Sequence, residues 1–317
     1  MRILIFGAGA VGQSVGCMLA ANGNTVDMIV RERFRDAIQS NGLSVTGIFG
    51  DYHAGPAQIG THTSVDSLAE KKFDYVLITT KSYDTDIASS ELLKLTDQSF
   101  KVVSMQNGCG NLEIAVKCFG SDRTLGARII TGFEIDSPGV IKITVTADDV
   151  HVGDYVESAI SRSAADFADT LNRAGLPSVT TDYIQCDLLA KLLYNCALNP
   201  LGALLGVHYG ALGDDSRTRD IMDRVIDEVY AVIGAMGAKT VWDTPDEYRS
   251  YFYGIQIPAT YDHRPSMLQD LENGKKTEVD ALTGYVSNMG KRHDIQTPVC
   301  DMLSSMVHFM ERNFGNR

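Results

Sequence analysis

Lys191, Asn195 and Asn199 are spaced i, i+4, i+8 in the run Lys-Leu-Leu-Tyr-Asn-Cys-Ala-Leu-Asn-Pro. At a helical pitch of about 3.6 residues the three stack on one face. Their neighbours are Leu, Tyr, Cys and Ala, so a cation and two carboxamides stand in line on an otherwise apolar helix. A lysine in partly apolar surroundings can donate a proton, because desolvation lowers its pKa. Two amides beside it can orient a small polar substrate. The same residues also read as a surface lysine with two asparagines near the helix-breaking Pro200, and the segment alone leaves both readings open.

A second constellation lies at the start of the chain. Residues 2–6, Arg-Ile-Leu-Ile-Phe, read as a short buried strand, followed at once by Gly7-Ala8-Gly9-Ala10-Val11-Gly12 and an apolar helix pattern through Val15, Met18 and Leu19. Strand, glycine turn and helix in that order form the dinucleotide fingerprint in its required setting. Gly7 permits the tight turn, Gly9 lets the backbone approach the pyrophosphate, and Gly12 allows close helix–strand packing. The helix N-terminus then offers free N–H groups and partial positive charge to the phosphates. The second strand, Thr25–Val30, is followed by Arg31-Glu32-Arg33. An acid there would bind a ribose 2′-hydroxyl and an arginine a 2′-phosphate; Glu32 lies at about the usual acid offset with Arg31 and Arg33 on either side, and the pattern leans to NADPH.

Three further segments carry polar residues at informative places. Thr80-Lys81-Ser82 and Gln106-Asn107-Gly108 each end a β-rich run. Strand ends of this kind face the ligand crevice, where Lys81 would meet a cofactor phosphate or the substrate and Asn107 ribose, nicotinamide or substrate. Plain turns would look the same. Ser266-Met-Leu-Gln-Asp270 is followed by Gly274 and Thr277-Glu278. On one continuous helix Ser266 and Glu278 would stand about 18 Å apart, so they share a small site if the chain bends near Gly274 or if the substrate spans several groups.

The elements that must position these residues fall into two halves. The first, residues 1–183, alternates strands and helices: Phe73–Thr79, Lys101–Gln106 and Arg123–Ile130 are β-rich, and Val179–Thr181 reads as the last strand. Val140–Val145 and Val150–Val152 read as an antiparallel pair entered through Pro138-Gly139. Residues 184–317 read as all-α. Residues 216–233 carry a stripe of Ile221, Val225, Val229 and Val232 with Asp214 or Ser216 as cap, and a last helix from Thr297-Pro298 carries Val299, Leu303, Met306 and Met310. The expected fold is therefore α/β: an N-terminal Rossmann-type doubly wound sheet binding the cofactor, followed by an all-α C-terminal substrate domain. The nicotinamide end is expected to point into the cleft between them, with Lys191 lining it.

Composition bounds the function. The chain has 317 residues, 44% hydrophobic, with a net charge of −12, which argues against nucleic-acid or anionic-membrane binding as the main activity. Six scattered cysteines, with no CxxC and no Cys/His cluster, read as reduced thiols of a cytoplasmic protein without a metal site. No uninterrupted apolar stretch reaches transmembrane length.

Taken together, Gly7-x-Gly9-x-x-Gly12, Lys81-Ser82, Gln106-Asn107-Gly108, Lys191-x3-Asn195-x3-Asn199-Pro200-Leu201 and Ser266-Met-x-Gln-Asp270 with Thr277-Glu278 resemble the ketopantoate reductase (2-dehydropantoate 2-reductase) family over nearly the full chain. The glycine motif is generic to nicotinamide enzymes, and Lys-x-x-x-Asn also occurs in the wider β-hydroxyacid dehydrogenase group. The Asn-Pro-Leu extension and the Ser266–Glu278 block, in this order, are specific. The resemblance implies an NADPH-dependent reductase of 2-oxo acids. By it, Lys191 is the general acid, Asn195, Asn199 and Ser266 bind substrate oxygens, and Glu278 binds the substrate hydroxyl, helps hold the lysine and counts among the cofactor contacts. Arg31 and Lys81 take the 2′-phosphate side, Asn107 lies near nicotinamide and substrate, and a homodimer suits the family. The residue chemistry agrees: hydride arriving at a carbonyl carbon builds negative charge on oxygen, which a nearby ammonium stabilises and neutralises.

Two positions depart from the best-known pattern. Tyr209 and His263 stand where well-studied members have an amide; they would reshape the substrate pocket for a different 2-oxo acid if their side chains reach it, and are without effect on it if neither does. The expected reaction is 2-dehydropantoate to (R)-pantoate. The alternatives are a D-2-hydroxyacid dehydrogenase acting on another branched or aromatic 2-oxo acid, a 3-hydroxyacid dehydrogenase, which would have no evident use for the Ser266–Glu278 block, and a non-catalytic NADPH sensor, which would need no proton donor.

Overall fold

The structure, a computed structural model, describes residues 1–157 and 159–314. It divides into two compact units: Met1–Asn107 with Asn111–Ile184, and Gly108–Gly110 with Gln185 onward.

In the first unit the elements run β1 (Arg2–Phe6), α1 (Ala10–Ala21), β2 (Thr25–Ile29), α2 (Glu32–Asn41), β3 (Leu43–Gly47), β4 (Tyr52–Ala54), β5 (Ile59–His62), β6 (Tyr75–Ile78), α3 (Thr85–Leu92), β7 (Lys101–Ser104), α4 (Asn111–Phe119), β8 (Thr124–Arg128), β9 (Thr131–Ser137), β10 (Val140–Thr146), β11 (Val150–Asp154), α5 (Arg162–Arg173) and β12 (Ser178–Thr181). Eight strands form one sheet in the order β12-β11-β8-β7-β6-β1-β2-β5. The six from β5 to β8 are parallel, and β11 joins β8 antiparallel. That is the doubly wound Rossmann order, with the strand order reversing between β1 and β6. Ligands bind at the carboxyl ends of the strands beside that reversal, where the glycine turn follows β1 and Thr79–Lys81 follow β6.

A second sheet, β4-β3-β10-β9, corrects the expected strand pairing. Strand β10 pairs with β9 antiparallel across Pro138-Gly139 and with β3 in parallel, while β11 belongs to the large sheet. The small sheet covers α1: Leu43, Val45, Ile141 and Ile143 share one core with Val15, Cys17, Met18 and Leu19 of α1 and with Ile3, Ile5 and Met28 of the large sheet. Helix α1 is therefore enclosed, with Gly12 through Ala20 buried without a break.

The second unit is built from α6 (Ile184–Leu205), which begins on the first unit's last residue, then α7 (Tyr209–Asp214), α8 (Ser216–Ala235), α9 (Pro245–Tyr251), α10 (Ile257–Ala259), α11 (Ser266–Glu272), α12 (Thr283–Arg292) and α13 (Pro298–Phe314). No strand follows Thr181 among the described residues. By length and composition α6 is apolar enough to cross a membrane, but it is the core helix of this unit, with 72% of its apolar window buried. Leu192, Leu193, Cys196, Ala197 and Leu201 of α6 pack with Val225, Ile226 and Val229 of α8 and with Cys300, Leu303 and Val307 of α13. Two local expectations are corrected here. The cap of α8 is Asp215, whose carboxylate accepts the Arg217 N–H, so neither Asp214 nor Ser216 fills that place. The buried stripe of α13 runs through Cys300, Leu303 and Val307, and Met306 is 47% exposed. The N-terminus of α13 is held by the buried Glu228, whose two carboxylate oxygens accept the Val299 and Cys300 N–H groups, each at 2.8 Å. A carboxylate there satisfies two otherwise orphaned donors and complements the helix dipole.

Candidate active site

The glycine turn is shaped by contacts that leave no room for side chains at two of its three glycines. Gly7 adopts φ +121°, and a Cβ there would lie 2.7 Å from the Thr80 nitrogen. At Gly12 a Cβ would overlap the Gly7 carbonyl oxygen and lie 2.6 Å from Thr79 Oγ1. Gly9 differs: it is exposed at the N-cap of α1, and a Cβ would have no heavy atom closer than 3.9 Å. No side chain caps α1, and its first turn holds no acid. The open cradle at Gly9 and the uncapped N–H groups fit a dinucleotide pyrophosphate. Ala8 is buried and Ala10 and Val11 half-buried.

Two side chains that the sequence pattern does not single out hold this turn. The Thr79 hydroxyl donates to the Gly7 carbonyl at 2.7 Å. Gln13, fully buried in α1, donates to the Ala8 carbonyl at 2.8 Å and accepts the Gly139 N–H at 3.1 Å, which links the turn to the small sheet.

Arg31 is exposed at the N-cap of α2, and Glu32 opens that helix in contact with Arg35. The Arg31 guanidinium lies 3.4 Å from the Asp84 carboxylate. Asp84 closes the 3₁₀ turn Ser82–Asp84, whose N-cap is the half-buried Lys81, so one turn brings Lys81 and the partner of Arg31 together.

At the end of β7 two adjacent amides have opposite roles. Gln106 is buried and works inside the protein: its Nε2 donates to the Thr80 carbonyl at 3.1 Å and to Thr85 Oγ1 at 2.8 Å, and its Oε1 accepts the Ser104 hydroxyl. Asn107 is exposed, and its carbonyl accepts Asn111 Nδ2 at 2.8 Å. Thr85 ties both loops to α4 through Asn111 Oδ1 at 2.8 Å. Gln106 therefore locks the Thr80–Lys81 loop, while the neighbouring Asn107 lies exposed. Thr85 carried no sequence signal, and Thr80 and Asn111 only that of polar residues near strand ends.

In the second unit the structure brings Asn195, Asn199 and Ser266 together. Asn199 Nδ2 donates to Asn195 Oδ1 at 3.3 Å, and the Ser266 hydroxyl donates to Asn199 Oδ1 at 3.4 Å. The two amides are 7% and 5% exposed, and Ser266, the first residue of α11, is exposed. Lys191, half-buried, precedes Asn195 by one turn of the same helix. The Pro265 ring packs over Gly202, where a Cβ would lie 2.7 Å from Pro265 Cγ, which seats Ser266 against α6. The chain does bend after α11: Gly274 takes φ +60° and its N–H closes on the Leu271 carbonyl at 2.9 Å. Glu278 follows as a buried residue at the N-cap of the 3₁₀ turn Val279–Ala281.

Tyr209 is 2% exposed, packed edge-on against Tyr194 with centroids 5.6 Å apart and tilted against His263 at 5.2 Å. The Tyr209 N–H donates to the His263 carbonyl at 3.1 Å. Burial pushes the Tyr194 phenol up to about 12, against a hydrogen bond with Thr260 at 2.9 Å. Burial likewise raises Tyr209, so both phenols stay neutral at ordinary pH. All six cysteines are free thiols, with Cys17, Cys196 and Cys300 buried. No cluster of three or more metal-ligating side chains occurs among the described residues.

Comparison with known proteins agrees with this architecture. The family profile described as "Ketopantoate reductase PanE/ApbA" matches residues 3–157, and "Ketopantoate reductase PanE/ApbA C terminal" matches residues 183–311. A 2-dehydropantoate 2-reductase from Aquifex aeolicus is 36% identical over 98% of this chain and 97% of its own. Among solved structures, a PanE/ApbA family ketopantoate reductase from Ralstonia eutropha superposes with TM-score 0.86 at 28% identity, covering 99% of both chains. A D-mandelate dehydrogenase solved with NADH and anilino(oxo)acetate superposes with TM-score 0.87 at 25% identity, again over 99% of both. With its glycine cradle, its Lys-Asn-Asn helix and these full-length matches, the chain belongs to the ketopantoate reductase family, a family of nicotinamide-dependent oxidoreductases.

Proposed function

We propose that the protein reduces 2-dehydropantoate to (R)-pantoate with NADPH, residues 1–183 binding the cofactor and residues 184–317 the substrate. The observation that carries this reading is the hydrogen-bonded row Asn195–Asn199–Ser266 continuing the face of α6 that bears Lys191. Two buried amides and a hydroxyl in register offer donors and acceptors at fixed spacing, which suits a substrate with a carboxylate, a ketone and a hydroxyl. When bound, the nicotinamide supplies hydride to the 2-oxo carbon. Lys191 stabilises the charge that develops on the ketone oxygen and hands it a proton from Nζ. Asn195, Asn199 and Ser266 hold the substrate oxygens, and Glu278 takes its hydroxyl. Gly7 to Gly12 receive the pyrophosphate, Arg31 and Lys81 the 2′-phosphate, and Asn107 the nicotinamide end. The six free thiols suit a reducing cytoplasm.

A second reading is a D-2-hydroxyacid dehydrogenase for aromatic 2-oxo acids. It is favoured by the half-buried rings of Tyr194, next to Asn195 on the same helix, and His263, both packed against the buried Tyr209, and by the likeness to D-mandelate dehydrogenase. The test is NADPH oxidation at 340 nm with ketopantoate beside branched and aromatic 2-oxo acids. Fast turnover confined to ketopantoate establishes the first reading; preference for an aromatic acid replaces it with the second. Tight NADPH binding with no turnover on any acid refutes both.

A further inference from the structure

Glu278 is held from a distance by the C-terminal helix. One carboxylate oxygen of Glu311 on α13 accepts both the N–H and the hydroxyl of Thr277, each at 2.7 Å. Its other oxygen meets His308 Nδ1 at 3.0 Å, and His308 Nε2 meets the Asp280 carboxylate at 3.0 Å. The residues on both sides of Glu278 are thus tied to the same helix. The Thr277 hydroxyl in turn accepts the Val279 N–H at 3.3 Å, which closes the turn around Glu278. Thr277 is 1% exposed and the Glu311 side chain 14%.

Glu311 is an unusual residue to find there. It lies in the last turn of α13, where a negative charge opposes the helix dipole. Burial acts to raise its carboxyl, but the two Thr277 donors and His308 outweigh it and hold the group below the usual glutamate range. A carboxylate kept ionised in a place unfavourable to it, with three donors converging, is an anchor for whatever those donors belong to. The anchor is itself fixed, because Glu228 pins the other end of α13.

We propose that Glu311, supported by His308, is a positioning residue for Glu278: it clamps the Thr277–Glu278 peptide so that the Glu278 carboxylate is presented to the substrate in one orientation. The proposal rests on the assignment of Glu278 as a substrate-binding group. Loose support of such a group costs rate out of proportion to stability.

The test compares Glu311→Ala, Glu311→Gln, Thr277→Val, Glu278→Gln and the double variant Glu278→Gln/Glu311→Ala, assayed with the best 2-oxo acid of the panel. NADPH affinity by fluorescence and the melting temperature are measured for each. Glu311→Ala is expected to lower kcat/KM about tenfold or more with NADPH affinity within about twofold of wild type. Glu311→Gln keeps an acceptor for both Thr277 donors and recovers most of that loss, while Thr277→Val reproduces part of it. In the Glu278→Gln background, adding Glu311→Ala costs less than about twofold further, because its target is already gone. Losses that multiply in the double variant, or unaltered kcat/KM in Glu311→Ala or in Thr277→Val, overturn the clamp while leaving Glu278 its role. Wild-type kinetics in Glu278→Gln removes Glu278 from the site and the clamp with it. Should Glu311→Ala fail to fold, Glu311→Gln and Thr277→Val address the same link.

Discussion

Replacing Gly9 and Gly12 in turn by alanine separates cofactor approach from fold integrity within one turn. At Gly9 the backbone has φ −76° and an added methyl finds nothing within 3.9 Å, so the fold accepts it. Alanine gains about 0.4–1 kcal/mol by restricting the unfolded chain. It loses a similar amount, about 0.5–1 kcal/mol, as a poorer N-cap than glycine. The two nearly cancel, so the melting temperature moves by no more than about 2–4 °C. The same methyl stands where the pyrophosphate would approach the N-terminus of α1, so NADPH affinity falls about tenfold or more, equivalent to about 1.4 kcal/mol. At Gly12 the methyl overlaps the Gly7 carbonyl oxygen and presses on Thr79 Oγ1, the donor that holds Gly7. Overpacking of this kind costs about 1–3 kcal/mol, a loss of about 2–12 °C. Differential scanning fluorimetry and NADPH fluorescence titration read the two effects. Normal NADPH affinity in Gly9→Ala would refute the placement of the pyrophosphate, and an unchanged melting temperature in Gly12→Ala would refute the packing argument.

Three other substitutions probe different parts of the molecule. Lys191→Ala should lower kcat by about 10²-fold or more with NADPH affinity nearly intact; near-normal turnover removes the lysine from proton donation. Arg31→Ala should weaken NADPH about tenfold and NADH hardly at all; equal losses for the two cofactors mean that Arg31 does not read the phosphate. Glu228→Ala orphans the buried N–H groups of Val299 and Cys300 and should cost about 2–4 kcal/mol in denaturant unfolding, with Glu228→Gln milder because one acceptor remains. A loss under about 0.5 kcal/mol would mean that water replaces the carboxylate at that helix end.

What the sequence made legible was whatever a local rule enforces. The strand–glycine–helix unit could be read because its strand, glycine spacing and helix are consecutive in sequence, although the contacts that crowd Gly7 come from Thr79 and Thr80 after β6, and the Asn195–Asn199 pair because helical period alone stacks it. The small sheet was hidden for the opposite reason. β3 and β10 pair across almost a hundred residues, and neither strand's own pattern names its partner. β10 and β11, close in sequence, were expected to pair and do not, since β10 is already satisfied on both edges. The cap of α8, expected at Asp214 or Ser216, is Asp215, and the buried position expected at Met306 is Val307, each a single residue away, which is the resolution of caps and periodic patterns read from sequence. Gln13, Thr79, Thr85 and Asn111 look like ordinary polar residues until the fold buries them.

The pair Gln106 and Asn107 shows why residue type alone stops short of function. Both are amides at one strand end, yet the first is enclosed with its hydrogen bonds directed at Thr80 and Thr85, and the second is open to solvent. The same distinction bears on the two departures from the family pattern. Tyr209 has the burial and ring contacts of a core residue, so it shapes the second unit by packing and has no free edge to offer a ligand. His263 is half-buried, and the backbone hydrogen bond from Tyr209 ties the two positions together. A tyrosine in the core needs neighbours that accommodate its volume, and two that pack on it here are Tyr194 and His263. The two positions are therefore coupled through packing, so a test of substrate choice varies them together.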